Sequence, residues 1–159
     1  MAIIKKTTVV LILTCALLIP IKAFAYTESL DLKSELSRIE EQVNFHVLIP
    51  ENYTNWKMIF KNLDTENSKS ILITFQDKGS EGKYVFESIQ KKGNNINLRS
   101  GEHVIISKYH GTFTPWSPSR NNPVPSGGIL KWVQNDTSVE LKSSYMSKEE
   151  MIKLASKMK

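Results

Sequence analysis

The sequence predicts an α+β fold: a curved antiparallel sheet of about six or seven strands, flanked by an N-terminal and a C-terminal helix. Three observations carry this. Short runs rich in β-branched and aromatic residues recur between Phe45 and Leu141, separated by Asn, Asp, Gly and Ser. Apolar residues at helical spacing stand at both ends, Leu32-Leu36-Ile39-Val43 and Met151-Leu154-Ala155-Met158. The connections between the runs are short, which favours sequential antiparallel neighbours.

Residues 1–25 read as a secretory signal peptide. Lys5 and Lys6 are the basic start, Thr7 to Ile21 is a nearly unbroken apolar run, and Ala23-Phe24-Ala25 supplies small residues for cleavage before Tyr26. The run is too short for the ~20 residues that span a bilayer, so no stable transmembrane span is expected after cleavage. A lipoprotein reading on Cys15 is weak, since Ile12-Leu13-Thr14 lacks the small residue wanted before a lipidated cysteine. Residues 26–159 then form one α+β domain with enough chain for a real core. Export also removes Cys15, leaving neither a disulfide nor a thiol nucleophile.

From Tyr26 to Val43 the stripe of Leu32, Leu36, Ile39 and Val43 predicts an amphipathic helix with Glu35, Arg38, Glu40 and Glu41 on its solvated face. Strands are expected at Phe45–Ile49, stopped by Pro50, and at Trp56–Leu63, Ser70–Gln76, Lys83–Gln90 and Glu102–His110. Asp64–Asn67, Asp77–Ser80 and Gly93-Asn94-Asn95 are the connections. Val47-Leu48-Ile49, Ile71-Leu72-Ile73 and Val104-Ile105-Ile106 are apolar at consecutive positions, so part of the sheet is expected to be covered on both faces.

Between His110 and Gly128 the composition turns to Pro and Gly, with Phe113 and Trp116 among them. An irregular connection of this length is often functional. Phe113, Trp116 and Arg120 are therefore the candidate partner-binding loop, set against the plainer reading that the aromatics tuck onto the sheet and anchor the loop. Leu130 and Trp132, the turn Asn135-Asp136, then Val139 and Leu141 predict a β-hairpin with one apolar face. Ser147 and Glu150 stand in capping-box relation at the start of a helix whose apolar stripe is Met151, Leu154, Ala155 and Met158. Such a short helix needs a surface to rest on, and the hairpin, with Trp132 the largest contact, is the nearest.

The run Gly127-Gly128-x-Leu130-x-Trp132, Leu141-x-Ser143, then Met146-Ser147-x-Glu149-Glu150-x-Ile152-x-Leu154-Ala155 resembles an exported bacterial domain of unknown function. That domain recurs in envelope proteins related to sporulation and to anti-sigma factors, and is similar to the C-terminal part of periplasmic sigma-regulator and lipoprotein-carrier-like proteins. The resemblance implies a fold in which Leu130, Trp132, Leu141, Ser147, Glu150, Leu154 and Ala155 are structural. It also implies an extracytoplasmic place in the bacterial cell envelope.

Little in the chain points to chemistry. His103 and His110 match no familiar metal spacing, and strand alternation places them on opposite faces. They and His46 are expected to be ordinary strand histidines. No nucleophile elbow, phosphate-binding loop or zinc-protease motif is present, and the carboxylates are scattered. Lys91-Lys92 and Arg99 read as solvated turn charges, with contact to anionic lipid or cell-wall polymer as the alternative. Without Lys5, Lys6 and Lys22 the 21 basic residues fall to 18 against 16 acidic ones, a net of +2 that gives no case for nucleic acid.

The sequence thus predicts a non-catalytic, secreted recognition or accessory module of the cell envelope, without cofactor or metal. Its partner would be an envelope protein, a cell-wall polymer or an apolar ligand. A carrier of lipid or another apolar ligand in a sheet groove is the alternative, and an unrecognised small hydrolase the second alternative.

Overall fold

The structure, a computed structural model, describes residues 20–63, 69–80, 82–93, 100–121 and 123–159, with side chains from residue 32 onward. The expected signal sequence before Pro20, the connection Asp64–Asn67, Asn94-Asn95 and Arg99 lie outside the described residues. Helix α1 runs Pro20–Val43, so it starts six residues before Tyr26 and continues through the expected cleavage point. No helix among the described residues is long and apolar enough to cross a membrane. The chain divides into two compact units, Met1–Ile39 and Glu40–Lys159. In the first, Leu32 and Leu36 are half-buried while Lys33 and Ser34 are exposed, as the helical spacing predicts. In the second, α1 ends at Val43, where Asn44 takes φ 59° and donates its amide to the Glu40 carbonyl at 2.8 Å. A left-handed residue after the last turn is the usual way to close a helix.

The second unit is a seven-stranded antiparallel sheet, with strands β1 Trp56–Asn62, β2 Ser70–Asp77, β3 Tyr84–Lys92, β4 Glu102–Ile106, β5 Tyr109–Pro115, β6 Gly128–Gln134 and β7 Thr137–Ser143. Their order across the sheet is β1-β2-β3-β7-β6-β5-β4, so the last hairpin sits in the middle. Asn135 and Asp136 both have positive φ, 50° and 61°, and join β6 to β7 as a two-residue turn. This is the twist-matching geometry that Asn and Asp tolerate best.

One face of the sheet holds the core. Ile71, Ile73, Phe75, Phe86, Leu130, Trp132, Val139 and Leu141 have essentially no exposure there. Phe75 and Phe86 stack at 4.1 Å, and Trp56 meets both edge-on at 6.0 and 5.1 Å. Gly111 stands opposite Trp132, and a Cβ at Gly111 would crowd the Lys131 carbonyl oxygen. Helix α2, Lys148–Ala155, lies against β4, β6 and β7 with Met151 and Ala155 buried, as is Met158 beyond its end. The predicted capping box is present: Ser147 Oγ accepts from the Glu150 amide at 3.2 Å, and the Ser147 amide donates to Glu150 Oε2 at 2.8 Å. Gly127, at φ 77°, lets the chain pass where a Cβ would overlap the Ser143 carbonyl oxygen.

Four expectations are corrected. Phe45–Ile49 is extended but joins no strand of the sheet. Its backbone is held instead by Gln90, whose side-chain amide accepts from the Leu48 N–H at 2.8 Å and donates to the Leu48 carbonyl at 2.7 Å. Thr137 adds a hydroxyl bond to the His46 carbonyl, and Ile49 exchanges two backbone bonds with Lys159. A side-chain amide carries the same donor and acceptor as a peptide group, so Gln90 replaces a strand neighbour.

Second, Glu102–His110 is not one strand but the start of a hairpin, turning at Ser107 with φ 57°. Third, that turn reverses the parity argument about the histidines. His103 and Ile105 share a face of β4, Ile105 pairs with His110, and the two imidazoles meet at 3.0 Å. Fourth, the second face of the sheet is not covered in the way its apolar runs suggest. Across its middle Lys131 pairs with Glu140 at 2.8 Å, and Glu140 with Lys142 at 2.8 Å. Burial alone would raise the Glu140 carboxyl, but the bonds from Lys131 and Lys142 outweigh it and hold the group below its ordinary value. Leu72 and Ile89 are half-buried on this face, Ile59 and Ile105 exposed.

Tyr84 supplies a titration test. Its hydroxyl donates to the Lys142 carbonyl at 3.1 Å, and burial, then the Glu87 charge, push the phenol up to about 12. A folded pKa above the unfolded value of 10.0 stabilises the fold below pH ~10, and that contribution disappears as pH rises toward 12. An alkaline absorbance titration should show a tyrosine ionising late, toward pH 12, and Tyr84→Phe should remove that step. Its persistence in Tyr84→Phe, or its absence from the parent, would contradict the assignment.

Candidate functional site

The candidate site lies at one end of the covered face, where the single-turn helix Tyr53–Asn55 leads into β1 beside α2. A cleft of about 250 Å³ opens there, lined by Pro50, Asn52, Trp56, Met146, Glu150, Lys153, Leu154 and Lys157. Two stripes running along α2 and the turn that follows it explain it. Met151, Ala155 and Met158 face the core, whereas Glu150, Lys153, Leu154 and Lys157 recur at the same spacing one position away and face the cleft. Leu154 is accordingly half-buried and does not belong to the core stripe in which the sequence places it.

The opposite wall is fixed by packing. Pro50 is buried and bridges to Met158, and the Glu51 amide donates to the Lys157 carbonyl at 3.1 Å, so the C-terminal segment is sewn to the chain before β1. Trp56 is half-buried, its ring backed edge-on by Phe75 and Phe86. A large aromatic surface held this way is preorganised for contact.

The rim is cationic in effect. The Glu150 carboxyl is engaged by the Ser147 backbone and side chain, which hold it below its ordinary value. Lys159 hydrogen-bonds Glu51 and lowers that carboxyl too. Lys153 and Lys157 have no carboxylate within ion-pair distance among the described residues. Apolar floor and lysine rim together suit an apolar side chain that carries an acidic neighbour.

The loop that the sequence singled out is built differently. Phe113 lies on β5, buried at 5% exposure in the core, and cannot serve as a binding residue on a loop. Trp116 is half-buried, and its indole N–H donates to the Ser143 carbonyl at 2.7 Å. Arg120 is exposed, so the three are not gathered into one surface. Of the residues named as structural, Leu130, Trp132, Leu141 and Ala155 are buried, while Ser147 and Glu150 form the cap. Sequence reasoning missed Pro50, Asn52, Trp56, Met146, Lys153 and Lys157. The stripe Glu150-Lys153-Leu154-Lys157 was available at helical spacing, but nothing local links it to Trp56.

Among the described residues no group of three or more His, Cys, Asp or Glu side chains is arranged to hold a metal. No curated protein and no solved structure matches the chain. The profile of a domain of unknown function, DUF4367, matches residues 43–158, from the last residue of α1 to the buried Met158, and the chain belongs to that family.

Proposed function

We propose that the protein is an exported, non-catalytic recognition module of the bacterial cell envelope, and that it engages an extended segment of an envelope protein through the cleft between Trp56 and α2. One observation carries the reading: an aromatic wall, Trp56 backed by Phe75 and Phe86, beside Lys153 and Lys157, neither of which has a carboxylate within ion-pair distance among the described residues. The basic and apolar N-terminal sequence and the resemblance to sporulation- and anti-sigma-related envelope proteins support export and an envelope setting. At about 250 Å³ the cleft is smaller than the roughly 300–1,000 Å³ of pockets that enclose a drug-sized ligand. It suits one or two side chains better than the acyl chain that a lipid carrier must enclose.

Short peptides with Leu or Phe flanked by Asp or Glu should bind better than the same peptides flanked by Lys. The double variant Lys153→Glu, Lys157→Glu should reverse that preference. Equal binding of both peptide sets by parent and variant would overturn the assignment of the cleft, and a turnover abolished by one polar substitution would overturn the non-catalytic reading. Fractionation of expressing cells, with the mature N-terminus read by mass spectrometry, tests export separately: a chain beginning at Tyr26 outside the cytoplasm is the expected result, and an uncut cytoplasmic chain the opposing one.

A further inference from the structure

The hairpin of β4 and β5 lies at the edge of the sheet, on the side away from β1, and nothing in the recognition reading uses it. Its outer face carries His103, Ile105, His110 and Thr112, by the pairings His103↔Thr112 and Ile105↔His110. The two imidazoles are diagonal neighbours, both exposed, with His103 Nε2 3.0 Å from His110 Nδ1 and ring centres 5.1 Å apart. We propose that His103 and His110 form a bidentate site for a divalent first-row transition ion of the Ni²⁺, Cu²⁺ or Zn²⁺ class.

The chemistry follows from the spacing. Metal–imidazole bonds of about 2.0–2.1 Å separate two cis nitrogens by about 2.9 Å at a right angle and about 3.4 Å at the tetrahedral angle. The observed 3.0 Å is the hydrogen-bond distance between the two rings and lies close to the right-angled separation. Chelation of Ni²⁺ or Cu²⁺ therefore requires the exposed rings to rotate their lone pairs onto the ion with little change in the distance between the nitrogens, and a small opening admits Zn²⁺. Without metal, one ring N–H must point at the other ring's lone pair. Binding replaces that hydrogen bond with two dative bonds, and the donor ring moves its proton, through solvent, to its other nitrogen, so that both rings ligate as neutral imidazoles with no net proton released. The antiparallel ladder fixes both backbones before any ion arrives, so little ordering is left to oppose chelation.

Thr112, directly across from His103 and two residues from His110 on the same face, is 3% exposed, and its hydroxyl has no hydrogen-bond partner among the described residues. The nearest cation across the ladder, Lys131, is already paired with Glu140, so it does not present a bare positive charge to the ion. Lys108, in the turn, lies over the Tyr109 ring.

The test is titration of the untagged chain with Ni²⁺ and with Zn²⁺ in a non-coordinating buffer, followed by calorimetry and by the histidine ring resonances. One ion per chain is expected, with the signals of His103 and His110 perturbed and that of His46 unmoved. His103→Ala and His110→Ala should each weaken binding at least tenfold, the scale on which even an outer-shell contact acts. His46→Gln should leave it unchanged. Both clamp residues are exposed, so the variants should keep the parent's far-ultraviolet circular dichroism, and that comparison accompanies each titration. No uptake by the folded parent, or undiminished uptake by the folded double variant, would overturn the site.

Discussion

Trp132→Ala should lower stability by about 3–5 kcal/mol, a large part of the margin of a domain this size. The ring has no exposure, sits on the central hairpin and faces Gly111, which has no side chain to fall into the space left behind. The indole N–H also donates to Gln134 Oε1 at 3.2 Å, and Gln134 Nε2 donates to the Met158 carbonyl at 2.9 Å. Truncation therefore opens a cavity and loosens the tether that holds the chain end beside the cleft. Urea unfolding should show a lower midpoint with an unchanged slope. A loss below ~1 kcal/mol would mean that the core closes over the gap, contrary to a packed interior.

Gln90→Leu should cost roughly 2–5 kcal/mol although it exchanges a buried polar side chain for an apolar one of similar size. The reason is the segment before Pro50. Gln90 satisfies both the N–H and the carbonyl of Leu48, and its Nε2 lies 3.1 Å from Ser88 Oγ. Leucine leaves buried peptide groups without partners, a penalty that its own burial does not repay. Hydrogen exchange at the Leu48 amide should speed up far more than in β7. Unchanged exchange there would show that Thr137 and the pairing with Lys159 hold the segment without Gln90.

The legible parts of the fold were those with local causes. Asn135-Asp136 marked the central turn because both residues tolerate positive φ, and Ser147 with Glu150 marked the start of α2 because the cap spans three residues. The misread parts depended on distant or chemically silent partners. Phe45–Ile49 looked like a strand because Val47-Leu48-Ile49 is apolar throughout, yet what holds Leu48 is a glutamine 42 positions away. The hairpin of β4 and β5 was hidden because Ser107-Lys108 offers a single serine with no Gly, Pro, Asn or Asp beside it, too weak a signal to break the run from Glu102 to His110. That single miss placed His103 and His110 on opposite faces and moved Phe113 from a core strand into a loop. The cleft was half legible, since α2 carries its second stripe openly. Its aromatic wall is contributed from across the sheet, and no pattern in the sequence joins the two.

If Trp56 and the outer stripe of α2 form the recognition surface, the three tryptophans report on it directly. Trp56 lines the cleft, Trp116 is tied to Ser143, and Trp132 is sealed in the core. The decisive measurement is a nitrogen-15 correlation spectrum of the indole N–H groups during titration with an acidic-apolar peptide of the kind described above. A saturable shift of the Trp56 signal is expected, lost in the Lys153→Glu, Lys157→Glu variant, with the Trp132 signal fixed. A shift of the Trp116 signal while Trp56 stays in place, or no shift in any of the three, would contradict it.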